Sequence, residues 1–90
     1  IMKTQVAKKF VQTLVDVFDQ FSINAEVTSE YSHSANLEMY VYVQLPDDCY
    51  FNLRFDIVQF LKAYCSMLSY HAEQCLIVKE GYKDNQLYIF

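Results

Sequence analysis

Apolar positions recur at helical intervals near the start of the chain. Val6, Phe10, Leu14, Val17 and Phe21 follow one another at spacings of four and three, and Ala7, Val11 and Phe18 widen the stripe. Side chains so spaced share one face of a helix. Lys8, Lys9, Gln12, Asp16, Asp19 and Gln20 fall on the opposite side. The pattern predicts a helix over Thr4 to Phe21 that stops near Ser22–Asn24.

The period then changes to two. Ile23, Ala25, Val27 and Tyr31 share one parity, with Asn24, Glu26, Thr28 and Glu30 on the other, as in a half-buried strand. A polar connection, Ser32-His33-Ser34-Ala35-Asn36, precedes a longer alternation from Leu37 to Leu45. There Leu37, Met39, Val41, Val43 and Leu45 point one way, and Glu38, Tyr40, Tyr42 and Gln44 the other. Pro46-Asp47-Asp48 reads as a turn. Tyr50 to Phe55 alternates again, which predicts a third strand with Phe51, Leu53 and Phe55 inward and Tyr50, Asn52 and Arg54 outward. The three strands together fit an antiparallel meander with one buried face.

Asp56, with Gln59 three residues on, predicts the N-cap and capping box of a second helix. Ile57, Phe60, Leu61, Tyr64, Leu68 and Ala72 form its core stripe, and Val58, Cys65 and Met67 make it apolar over more than half its circumference. A helix of that kind is buried on two sides, by the first helix or by a second subunit. Cys75 to Val78 and Gln86 to Phe90 read as a closing hairpin around Glu80-Gly81-Tyr82-Lys83-Asp84-Asn85. The expected fold is one α+β domain over residues 1–90, in the order α-β-β-β-α-β-β, with an antiparallel sheet packed against two helices.

Composition narrows the function classes. Hydrophobic residues make up 53% of the 90, which excludes disorder, and the single glycine cannot supply a dinucleotide fingerprint, a P-loop or a nucleophile elbow. Seven basic against eleven acidic residues leave a net charge of −4, which argues against direct nucleic-acid binding. No apolar run approaches the roughly 18–20 residues of a membrane span. Met2 reads as the natural start, and the residues after it lack the apolar stretch of a signal peptide. Cys49, Cys65 and Cys75 are odd in number and unevenly spaced, so they read as free thiols in a reducing cytoplasm.

Catalytic constellations are thin. His71 and Cys75 share a helix face, but two ligands with a carboxylate such as Glu73 make a poor metal set. A nucleophilic cysteine paired with His71 or His33 would need a lowered pKa. Cys75 sits near a helix C-terminus and Cys49 follows two aspartates, and both settings work against a thiolate. Asp47-Asp48 and Asp16 with Asp19 are carboxylate pairs in solvated settings, without the apolar shielding of an acid–base pair. The expectation is no enzyme, no cofactor and no metal.

Charge placement is more informative. Between Lys9 and Arg54 there is no lysine or arginine, whereas Asp16, Asp19, Glu26, Glu30, Glu38, Asp47 and Asp48 all lie there. On the predicted meander, Glu26, Glu30 and Glu38 share the outward face with Tyr40, Tyr42 and Tyr50, with Asp47 and Asp48 at one end. Tyrosines offer contact area at low entropic cost, and carboxylates at fixed spacing steer a basic partner. These eight residues are the candidate partner-binding face. Surplus apolar residues on the second helix, Val58, Phe60 and Met67, are the candidate interface of a homodimer.

Small size, the stretch free of lysine and arginine from Phe10 to Leu53 and the Glu/Tyr face together resemble a class of small acidic α+β proteins. These are the proteins that phages and mobile elements direct against host defence, of the anti-CRISPR and anti-restriction kind. The resemblance implies a stoichiometric inhibitor of a basic, nucleic-acid-binding host protein, a partial DNA mimic in which Glu26, Glu30, Glu38, Asp47 and Asp48 stand where phosphates would. The element order is also similar to that of type III secretion chaperones, which are acidic dimers, and size and acidity to bacteriocin immunity proteins. Those similarities imply a homodimeric chaperone or assembly factor, or an immunity protein. The α-β-β-β-α run is shared with double-stranded RNA-binding domains, but Asp56-Ile57-Val58-Gln59 stands where their basic cluster would be.

Overall fold

A computed structural model of the chain describes residues 2–31, 39–72 and 76–90. The first helix, α1 (Thr4–Gln20), buries Ala7, Phe10, Leu14 and Phe18. Its buried stripe ends on Phe18 rather than on Val17 and Phe21, and Phe21 is 71% exposed. The helix ends in two crossed bonds: the Ile23 N–H donates to the Phe18 carbonyl at 2.8 Å and the Ser22 N–H to the Asp19 carbonyl at 3.1 Å. That closure requires a left-handed residue between them, and Ser22 takes it with φ of 55°.

Four strands follow the pattern α-β-β-α-β-β: β1 (Glu26–Tyr31), β2 (Met39–Gln44), then helix α2 (Phe51–Ala72), β3 (Val78–Glu80) and β4 (Gln86–Ile89). The sheet order is β1-β2-β4-β3, with every pairing antiparallel. In β2 the alternation holds position by position: Met39, Val41, Val43 and the following Leu45 are buried. Leu87 and Ile89 of β4 join them, and the two helices supply Phe10, Leu14, Ile57, Val58, Leu61 and Cys65 to the same core. Burial of such a side chain contributes about 1.5–3 kcal/mol. Met2 extends the sheet as an isolated bridge, exchanging both backbone hydrogen bonds with Met39 at 3.3 Å.

The expected third strand is not there. Residues 51–55 form the opening turns of α2, and Asp56 lies inside the helix rather than at its cap. Phe51, Leu53 and Phe55, expected inward, are exposed. An alternation this short also fits a helix, where Phe51 and Phe55 meet at i and i+4, and their rings lie 6.3 Å apart. No glycine or proline stands between Pro46 and Gly81 to stop the helix from propagating back. Asp47 and Asp48 precede its positive end, where carboxylates are favoured. The place beside β2 that a third strand would take belongs to β4.

The helices lie on one side of the sheet and stand apart. Among the described residues no Cα of α1 comes within 8 Å of one of α2. Large side chains span the gap, with Phe10 and Tyr64 edge to face at 5.0 Å. Among the described residues no helix is long and apolar enough to cross a membrane.

Candidate interaction face

The side of the sheet away from the helices carries the other parity of the same strands. Register sets its neighbours: Glu26 lies opposite Gln44, Thr28 opposite Tyr42 and Glu30 opposite Tyr40. On the other side of β2, Tyr42 lies opposite Tyr88 and Gln44 opposite Gln86, while Lys79 of β3 lies opposite Tyr88. Four rings form a continuous patch at the centre. Centroid separations are 5.0 Å for Tyr42–Tyr88, 6.0 Å for Tyr40–Tyr88, 5.4 Å for Tyr40–Phe90 and 6.2 Å for the stacked pair Tyr88–Phe90. These lie within the range of favourable aromatic pairing.

Hydrogen bonds fix the polar ends of the rings. The Tyr40 hydroxyl donates to Glu30 Oε2 at 2.6 Å. That bond, with desolvation and the carboxylate's charge, pushes the Tyr40 pKa up to about 12, so the ring stays neutral and holds Glu30 in place. Gln86 Nε2 donates to the Tyr42 hydroxyl, which donates in turn to Gln44 Oε1 at 2.6 Å. Gln44 Nε2 completes the chain on the Leu45 carbonyl at 3.2 Å. Among the described residues Tyr88 makes no such side-chain bond, and its ring packs against Tyr40 and Tyr42.

The β3–β4 hairpin borders this patch and depends on two residues. Asn85 is buried with φ of 65°, in the left-handed region that asparagine tolerates. Its Nδ2 donates to the Pro46 carbonyl at 3.0 Å, its Oδ1 accepts from Arg54 Nη1 at 3.3 Å, and its carbonyl accepts from the Leu45 N–H. One side chain thus ties the hairpin to the end of β2 and to α2. Gly81 lies against the patch, where an added Cβ would come within 2.9 Å of Gln86 Cβ and Tyr88 Cε2. Beside it, Lys79, Tyr82, Gln86, Tyr88 and Phe90 line a hollow of about 420 Å³. Lys79 Nζ stands 5.8 Å from the centre of the Phe90 ring, so the face already holds one cation against an aromatic surface.

Of the predicted partner-binding residues, Glu26, Glu30, Tyr40 and Tyr42 lie together on this face. Glu38 lies outside the described residues. Asp47 and Asp48 are exposed in the turn leading from β2 to α2. Tyr50 is 78% exposed at the start of α2, off the sheet, because the strand expected to carry it is helix. Gln86, Tyr88, Phe90 and Lys79 complete the face. Gln86 to Phe90 reads as a strand in the sequence, but its pairing with β2 was not legible there, and Lys79 lay outside the expected strands.

A second exposed surface is apolar. Val17, Phe18, Phe21 and Ile23 face Leu53, Ile57 and Phe60 across a groove of about 480 Å³ between the helices. Phe60 stacks on Tyr64 at 6.2 Å and remains partly exposed, as does Met67. Val58, expected at a subunit interface, is 8% exposed and packs into the core.

Cys49 and Cys65 are buried. Desolvation raises the pKa of Cys49, against a smaller lowering by Arg54, and desolvation pushes Cys65 up to about 11. Both therefore stay protonated near neutral pH, a poor state for a nucleophile. The side chains of His33, His71, Glu73 and Cys75 lie outside the described residues. Among those described, no three His, Cys, Asp or Glu side chains come together as metal ligands would. No protein-family model, curated protein or solved structure matches the chain.

Proposed function

We propose that this protein is a non-enzymatic binding module that holds a basic protein partner on the outer face of its sheet. The observation that carries the reading is the patch of Tyr40, Tyr42, Tyr88 and Phe90, uncovered by either helix and bordered by Glu26 and by a Glu30 that Tyr40 fixes in position. Solvated sheet faces need no such collection of rings. Aromatic side chains fixed by neighbours bind with little further loss of entropy, and fixed carboxylates give rate and orientation to a cationic partner. The resemblance to anti-defence proteins supplies the partner class, a nucleic-acid-binding protein whose basic surface the module occupies. The outcome is stoichiometric inhibition.

The test begins with capture from nuclease-treated host lysate, elution by a salt gradient and identification by mass spectrometry. The purified partner is then titrated in its nucleic-acid complex. Displacement of nucleic acid at one equivalent, weakened at least about tenfold by Tyr88→Ala and by Glu30→Lys, supports the reading. A partner whose affinity neither substitution changes overturns it.

The inter-helix groove favours a second reading, a homodimeric chaperone or assembly factor. Phe21, Leu53 and Phe60 are exposed around an apolar hollow, the kind of surface that association covers. That reading expects a dimer by sedimentation that persists at high salt and dissociates on Phe60→Asp. A monomer at high micromolar concentration sinks it.

A further inference from the structure

β1 is an edge strand, and among the described residues it is hydrogen-bonded on one side only, to β2. Its other side presents a row of backbone N–H and C=O groups that a further strand would take up. Two features of this edge describe the strand that fits. On the outer face, Glu26 and Glu30 project four residues apart, about 13 Å along the strand. Among the described residues this side of the face has no lysine or arginine; Lys79 stands on the far edge over Phe90. On the inner face burial is incomplete. Val27 of β1 and Val11 and Val15 of α1 are only half-buried, although α1 packs over β1 and β2. Val11 and Val15 flank the buried stripe of α1 on the side opposite Val6, Thr13 and Val17, which line hollows between the helices.

We infer that β1 accepts an extended segment of the partner as a fifth strand, with cationic residues at i and i+4 and apolar β-branched residues at i+1 and i+3. The inference rests on the proposed function and names the partner's contacting segment. Strand addition places side chains opposite Glu26 and Glu30 at cross-strand distance, about 5 Å, and turns the intervening residues toward the half-buried valines. A second copy of this chain is a poor occupant. Two β1 strands paired antiparallel about Thr28, the register that overlaps most of the strand and keeps its outer face outward, set Glu26 against Glu30 at both ends, and like charges directly opposed destabilise a pair. The carboxylates that discourage self-pairing are the ones that select a basic strand.

The test uses the full chain and synthetic nonapeptides of valine and threonine, capped at both ends, with affinity read by calorimetry. A peptide with arginines at its third and seventh positions is compared with an isomer carrying them at the third and sixth. Moving one arginine by a single residue turns it to the inner face, and the expected loss is about tenfold in affinity. Replacing both carboxylates, Glu26→Gln together with Glu30→Gln, abolishes the difference. Methylating the peptide backbone nitrogens one at a time weakens binding at alternate positions only, since alternate N–H groups face β1. Equal affinity of the isomers, methylation effects without alternation, or no binding by either peptide overturns strand addition. If the captured partner still depends on Tyr88 and Glu30 in that event, the face reading stands alone. If its binding ignores both, the face reading falls as well.

Discussion

The two faces of this sheet are built from the same strands and differ in what they ask of their residues. Inside, Val41, Val43, Leu87 and Ile89 are wholly buried and carry no polar atom beyond the backbone. One residue along, Tyr40, Tyr42, Gln86 and Tyr88 are large and half-exposed; side-chain hydrogen bonds hold Tyr40, Tyr42 and Gln86, and Tyr88 packs against both tyrosines of β2. The inner face is defined by volume, because any lost atom leaves a cavity. The outer face is defined by direction, because its rings and hydroxyls keep their aim without being covered. Stability and recognition are therefore separable here by parity along a single strand.

Substitutions can sharpen or break that separation. Leu87→Ala removes a fully buried side chain at the centre of the inner face and should cost about 2–5 kcal/mol in chemical denaturation. A cost below about 1 kcal/mol would mean that the inner face is loosely packed and the contrast is wrong. Gly81→Ala tests the junction of the two. Its Cβ meets Gln86 Cβ at 2.9 Å, a group anchored to the β4 backbone, so the hairpin has to shift. The expected cost is about 1–3 kcal/mol, with weaker partner binding although no charge changes.

Tyr40→Phe is the mildest, removing only the hydroxyl bonded to Glu30, worth about 1 kcal/mol. Its signature lies in pH. Tyr40 has a folded pKa of about 12 against the ordinary 10, so its bond contributes fully below pH 10 and is lost as pH rises through about 12. In the wild type a phenolate should appear late in an absorbance titration, and Tyr40→Phe should remove that step and flatten the alkaline loss of stability. A titration with no such late phenolate would show that Glu30 is not held.

The alternation from Met39 to Leu45 was legible because it is long and unbroken, and every inward assignment among the described residues is buried. Residues 51–55 misled because five positions do not distinguish a period of two from one of 3.6. The stronger clue was the absence of a helix breaker from Asp47 to Glu80. Half of the interaction face was legible for a similar reason. Glu26, Glu30, Tyr40 and Tyr42 belong to neighbouring strands in sequence, whereas Tyr88 and Phe90 reach them through a pairing between β2 and β4 that no local pattern encodes.

That pairing also sets the order of assembly. β2 can form its hairpin with β1 early, but its other edge waits for β4, the last strand of the chain, with α2 and β3 in between. Until then an apolar run, Met39 to Leu45, has one side open, and closing it carries the entropy of the whole intervening loop. During synthesis on the ribosome this seam cannot close until residues 86–89 have emerged. Refolding at high concentration should therefore lose material to aggregation through β2 before the sheet is complete.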